Sequence, residues 1–165
     1  MAEHPVFVIA EEPPTTPDIL ALLDAHLAEM HRCSPACKVN ALPARRLADP
    51  DVTFFAARSQ GALAAIGALR WLDEARCEIK SMRAAQEWRG KGAGQAMLQH
   101  LLRTASDNGR LWVGLETGRH PVFAPATRLY AAAGFAECEP FDDYVSDDFS
   151  MCMAMRLDPA NFLLS

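Results

Sequence analysis

Glu78 to Ala105, EIKSMRAAQEWRGKGAGQAMLQHLLRTA, decides the fold. Its first residues, Glu78 to Ala84, complete a strand that starts at Arg76. Arg89-Gly90-Lys91-Gly92-Ala93-Gly94 then makes a basic, glycine-rich turn. From Gly92 to Asp107 the period becomes helical: Met97, Leu98, Leu101, Leu102 and Ala105 form one apolar stripe, and Asn108-Gly109 ends the helix. A strand that feeds a glycine-rich turn at a helix N-terminus gathers free amides and the positive end of the helix dipole at one point, a standard way to hold a phosphate. The competing reading is a plain strand-to-helix turn with solvated basic residues.

Working outward, Leu111 to Thr117 reads as the next strand, which makes the helix a crossover between two parallel strands. Upstream, Val52–Arg58 and Ala62–Leu72 flank the turn Ser59-Gln60-Gly61 as a hairpin, and Arg76–Ala84 adds a third antiparallel strand. Val6–Ile9 is a short β run. A first helix starts near Pro17, with Ile19, Leu23, Leu27 and Met30 on one face and His26 beside them. A second short helix is expected near Pro43–Leu47, and another over Pro125–Ala133, closed by Gly134. Phe135–Cys138 and Phe149–Leu157 read as closing strands. The fold class is therefore α/β, a mixed sheet of six to seven strands covered by about four helices, in one domain over residues 1–165.

Half of the 165 residues are hydrophobic and 22% are charged, as in an ordinary globular protein. The net charge of -5 argues against nucleic acid as a partner. Cys33, Cys37, Cys77, Cys138 and Cys152 show neither a CxxC pair nor zinc spacing, so no metal is expected and reduced thiols are. The N-terminus lacks the pattern of a signal peptide, and no apolar run has the length of a membrane span. These features make no membrane association and a cytoplasmic location the expectation.

The spacing Gly90-x-Gly92-x-Gly94 matches neither GxGxxG nor GxxxxGK[ST], so a nucleotide hydrolase is a poor reading. Downstream stands Pro125-Ala-Thr-Arg-Leu-Tyr-Ala-Ala-Ala-Gly-Phe135. A strand followed by RxxGxG (Arg89–Gly94), then AxxLYxxxGF (Ala126, Leu129, Tyr130, Gly134, Phe135), in this order of elements, resembles the GNAT superfamily of acetyl-CoA-dependent N-acetyltransferases over nearly the whole chain. It is similar in particular to a bacterial subgroup without an assigned substrate that carries HLxxM, EIKSMR, LETG and FAPAxxLY, here His26 to Met30, Glu78 to Arg83, Leu115 to Gly118 and Phe123 to Tyr130. Two departures stand out: many members have Pro where Gln86 stands and Asn where Phe123 stands, which puts one side-chain contact to the cofactor arm in doubt.

The resemblance implies a sheet whose two central parallel strands, Glu78–Ala84 and Leu111–Thr117, splay apart to admit the pantetheine arm of acetyl-CoA. It places Met82, Arg83 and Ala84 along that arm. It gives the diphosphate to Arg89, Gly90, Lys91, Gly92, Ala93, Gly94 and Gln95, with Phe123 and Ala126 as further cofactor neighbours. It implies direct attack by an amine acceptor, with Tyr130 as the acid for the departing thiolate. A phenol of pKa ~10 stays protonated at neutral pH and suits that task; the bland alternative is a packing residue. Glu78 and Glu116 compete for the base that takes the ammonium proton; the bland alternative for each is an exposed strand-end charge or an ion pair with Lys80, Arg83 or Arg119. Strand alternation puts Glu78 on the face of Met82. His26, with Met30, is either a satisfied core residue or part of the acceptor roof. The acidic stretch Glu137–Asp148 reads as a solvated loop. Dimers are common in the family, so a homodimer is an expectation; a non-catalytic acyl-CoA-binding module is the alternative to an enzyme.

Overall fold

The computed structural model describes residues 5–33, 44–142 and 144–158. Seven strands join one sheet in the order β1-β2-β3-β4-β5-β7-β6. They are β1 (Val8–Glu11), β2 (Val52–Ser59), β3 (Ala62–Trp71), β4 (Arg76–Ala84), β5 (Trp112–Gly118), β6 (Ala136–Cys138) and β7 (Ser150–Arg156). Every neighbouring pair is antiparallel except β4 and β5. Three α-helices accompany the sheet: α1 (Pro17–Cys33), α2 (Ala93–Asp107) and α3 (Ala124–Ala133).

About four helices were expected, and three α-helices stand among the described residues. The segment assigned to the fourth forms instead a five-residue 3-10 turn, Ala44–Ala48; Pro43 lies outside the described residues. Five residues suit a 3-10 turn, a form used in short pieces. Leu47 anchors it in the core, and Arg46 bonds Asp49 at 3.0 Å.

Two apolar layers sandwich the sheet. On one face Met97, Leu98, Leu101 and Leu102 of α2 pack with Leu69, Ile79, Val113, Leu115, Met153 and Leu157. α2 lies so close to β3 that a Cβ on Gly67 would meet Met97 Cγ at 2.9 Å. On the other face Ile19, Leu22 and Leu23 of α1 and Leu47 cover Phe54, Ala56, Ile66 and Ala68. The predicted α1 stripe is therefore buried at its N-terminal half. Met30 and His26, further along, are only half-buried.

No helix of the described residues is long and apolar enough to cross a membrane. Cys77 and Cys152 are buried free thiols and Cys138 is half-buried; burial pushes the Cys77 thiol up to about 12. Cys37 and the side chain of Cys33 lie outside the described residues.

Candidate active site

The glycine turn is built as a helix N-terminus. After a 3-10 turn over Gln86–Trp88, Gly90 and Gly92 take φ values of +77° and +88°. That left-handed conformation favours glycine. Gly92 caps α2 without any side-chain bond to the helix. Its carbonyl accepts from the Ala96 amide at 3.0 Å, so the amides of Ala93, Gly94 and Gln95 form the unpartnered first turn. A Cβ on Gly90 or Gly92 would meet nothing within 4 Å among the described residues, and both glycines line a cavity with Pro5, Val6, Ser59, Gln60 and Trp88. Lys91 folds over the Trp88 ring at 5.3 Å, and Arg89 reaches Glu29 of α1 at 3.4 Å.

β4 and β5 then separate. They pair only through Arg76↔Trp112, Cys77↔Val113 and Glu78↔Gly114. Beyond that point β4 stays with β3, and β5 stays with β7. Within the diverging part of β4 lies a bulge: Ala68 opposes Lys80 and Ile66 opposes Arg83, so Gly67 alone faces Ser81 and Met82. Ser81 takes φ +55° to make it. The extra residue shifts the alternation by one. Met82 and Ala84 therefore pack on the α2 and α3 face together with Ile79. Glu78, Lys80 and Arg83 turn to the α1 face. The expectation that Glu78 shares a face with Met82 is thus overturned.

On the α1 face the diverging strands enclose a pocket of about 60 Å³, bounded by His26 and Met30 of α1, Glu78 and Lys80 of β4, Glu116 of β5, and Tyr144. Glu78 is fully buried. Its Oε1 accepts from Arg70 Nε at 3.0 Å and lies 2.9 Å from Arg70 Nη2. Its Oε2 accepts from the Tyr144 hydroxyl and lies 3.5 Å from Lys80 Nζ. Lys80 Nζ in turn donates to the Tyr144 oxygen. Burial, and then the Glu78 charge, push the Tyr144 phenol far above its ordinary range. Arg83 donates to Glu29 and contacts His26 Nδ1 at 3.2 Å, while its Nε is buried without a partner. Burial and the Arg83 charge push His26 down to about 4, so its ring is neutral at neutral pH and accepts at Nδ1.

The structure therefore gathers Glu78, Glu116, His26 and Met30 in one pocket and leaves Tyr130 on the opposite face. Tyr130 is buried on α3 against Phe135, ring centroids 5.7 Å apart. It belongs to the apolar cluster on which Met82, Ala84 and Ala126 pack. Burial pushes its phenol up to about 12. Phe123, just ahead of α3, lays its ring over Gly118 in the space a Cβ there would need. Arg70, Glu29 and Tyr144 are not singled out by the sequence, whereas the expected alternative of an ion pair between Glu78 and Lys80 is met at 3.5 Å. Tyr144 carried no comparable signal, as an aromatic inside a run of acidic residues.

Chain comparison reaches the same architecture from the other direction. Residues 19–135 match the model of the acetyltransferase (GNAT) family. The protein named "Uncharacterized N-acetyltransferase YsnE" of Bacillus subtilis (strain 168) is 39% identical over 139 residues, 84% of this chain and 92% of that protein. "Uncharacterized N-acetyltransferase YedL" of Escherichia coli (strain K12) is 37% identical over 158 residues, 96% of this chain and 99% of that protein. A crystal structure from Klebsiella pneumoniae, provisionally named an acyl-CoA N-acyltransferase, shares 27% identity, covers 93% of this chain and 99% of its own, and superposes with a TM-score of 0.75. With the uncapped glycine turn, the parting of β4 from β5 and the Tyr130 motif all in the family's order, the chain belongs to the GNAT acetyltransferase family and is an N-acetyltransferase.

Proposed function

We propose that this enzyme transfers an acetyl group from acetyl-CoA to a primary amine, by direct attack with both substrates bound, in one catalytic domain whose seven strands share a sheet. The observation that carries the reading is the gap beyond Glu78 and Gly114. It has an uncapped helix N-terminus at one end and a carboxylate-lined pocket on its α1 face.

The open turn fits a diphosphate. Amides of Gly90 and of Gly92 to Gln95 supply donors, the Lys91 amide being bonded to the Trp88 carbonyl at 3.3 Å, and Arg89 and Lys91 add charge. The main chain of β4 at Met82 and Ala84, beyond the last pair with β5, fits the extended pantetheine arm, with Phe123 and Ala126 at its flank. When bound, acetyl-CoA supplies an acetyl group activated as a thioester, with a thiolate as leaving group.

The chain's own residues supply two proton movements. Both Glu78 oxygens already accept bonds, from Arg70 and Tyr144. Uptake of the ammonium proton is given to one of the two carboxylates that line the pocket, Glu78 or Glu116, and Glu78 also orders it through Arg70 and Tyr144. Tyr130 is held as a phenol by burial and donates its proton to the departing sulfur. His26, neutral, and Met30 form the α1 wall for the acceptor.

The test is thiol release from acetyl-CoA with a panel of primary amines. Tyr130→Phe should lower kcat by about 10²-fold, the lower end for loss of a general acid, with acetyl-CoA affinity unchanged. An equal kcat in the variant would remove Tyr130 from the mechanism.

A further inference from the structure

The connection between β6 and β7 brings Tyr144 into the lining of the carboxylate pocket, where its ring is held from several directions. The hydroxyl donates to Glu78 and accepts from Lys80. The Lys80 ammonium lies 5.1 Å from the ring centroid. Phe141 packs edge-on at 5.2 Å. Phe141 is itself buried edge-on to Trp112 at 5.0 Å, and a Cβ on Gly114 would meet its ring at 2.8 Å. The connection is pinned on both sides of Tyr144. Arg70 bonds Asp142; Asp147 accepts from the Phe149 and Ser150 amides at 2.9 and 3.0 Å, and its carbonyl accepts from Arg119 at 2.7 Å. A ring tied through its hydroxyl and its edge, on a backbone tied at both ends, is a wall and not a flap. The space it bounds, about 60 Å³, holds only a few water-sized groups.

We propose that Tyr144 is the size filter of the acceptor site and restricts it to amines on an unbranched carbon, R–CH2–NH3+, entering end-on past His26 and Met30. This inference rests on the amine-acetylation reading and names the acceptor class within it. For the nitrogen to reach the gap between β4 and β5, the carbon bearing it must sit beside the phenol ring. A methyl or carboxylate branch on that carbon needs volume that only displacement of the ring provides. Displacement in turn breaks the bonds to Glu78 and Lys80 and the packing on Phe141.

The experiment measures thiol release from acetyl-CoA for matched pairs of amines: n-butylamine against sec-butylamine, and benzylamine against α-methylbenzylamine. The wild type should favour the unbranched member by at least tenfold in kcat/KM. Tyr144→Ala and Tyr144→Leu should narrow that ratio at least tenfold with the KM for acetyl-CoA unchanged. Tyr144→Phe keeps the ring and its packing on Phe141 but loses the ties to Glu78 and Lys80, and should give a ratio between those of the wild type and the Leu variant. A wild type that takes both members equally overturns the filter, whatever the variants do. So does an unmoved ratio in Ala and Leu variants that melt cooperatively; in both cases amine acetylation itself stands. No amine-dependent turnover in any variant, with acetyl-CoA bound, overturns the filter and the acetylation reading together.

Discussion

His26 touches the Arg83 guanidinium through Nδ1, a contact that works only while the imidazole is neutral. Its value in the fold is about 4, against the ordinary 6.5. Between those limits the unfolded chain binds a proton that the folded chain does not. Stability from this group therefore rises with pH across that window and is lost as pH falls through it, by at most about 3 kcal/mol. Melting temperatures from pH 4 to 7 should show this slope, and His26→Gln should flatten it; an unchanged slope would mean that His26 is not the group responsible. The sequence put His26 on the right helix face but gave no sign of Arg83, because the partner lies 57 positions away. Glu78 was legible as a carboxylate in a strand, whereas Arg70 and Tyr144, which occupy its two oxygens, become visible only once β3 and the β6–β7 connection are placed beside it.

At the scale of elements, the bulge in β4 separates the two halves of the chemistry. Periodicity alone identified the strand and its limits, yet a bulge adds one residue without leaving a compositional mark, and so reversed the expected faces of Glu78 and Met82. Ser81 carries the conformational cost at φ +55°. A β-branched residue tolerates that region poorly. Ser81→Val should lose about 1–3 kcal/mol of stability in urea unfolding and raise the KM for the amine. Ser81→Gly should do neither. Full stability in the Val variant would show that the bulge is not strained. The glycine turn is the complementary case, since its three glycines announced it. A Cβ on Gly94 would meet only Leu129 Cδ2, at 3.6 Å. Gly94→Val should thus weaken CoA binding at least tenfold by calorimetry and change stability by no more than about 1 kcal/mol, because Val is no worse a helix former than Gly. Unchanged affinity would remove the turn from the cofactor site.

Across the whole molecule, the sheet has two halves joined by a short parallel seam. The half formed by β1 to β4 meets the half formed by β5, β7 and β6 through three residue pairs. The α2 layer also joins them, because one apolar cluster contains Leu69 and Ile79 from one half and Val113, Leu115 and Met153 from the other. This explains why the order of elements was readable from the residue pattern while the parting of the strands was expected only through the resemblance to the GNAT superfamily: each strand's pattern reports its burial, and both edges of the gap are buried by the same helices. A gap of this kind leaves main-chain groups of β4 and β5 without a ladder partner, which an extended ligand can satisfy. Saturating CoA at about 100 times its Kd should stabilise the protein by about 2.7 kcal/mol. In hydrogen exchange the added protection should fall on residues 79–84 and 115–118, along both edges of the gap, as well as on the turn at 89–95. Protection confined to the turn would mean that CoA is held by its phosphates alone and that the two halves stay apart when it binds.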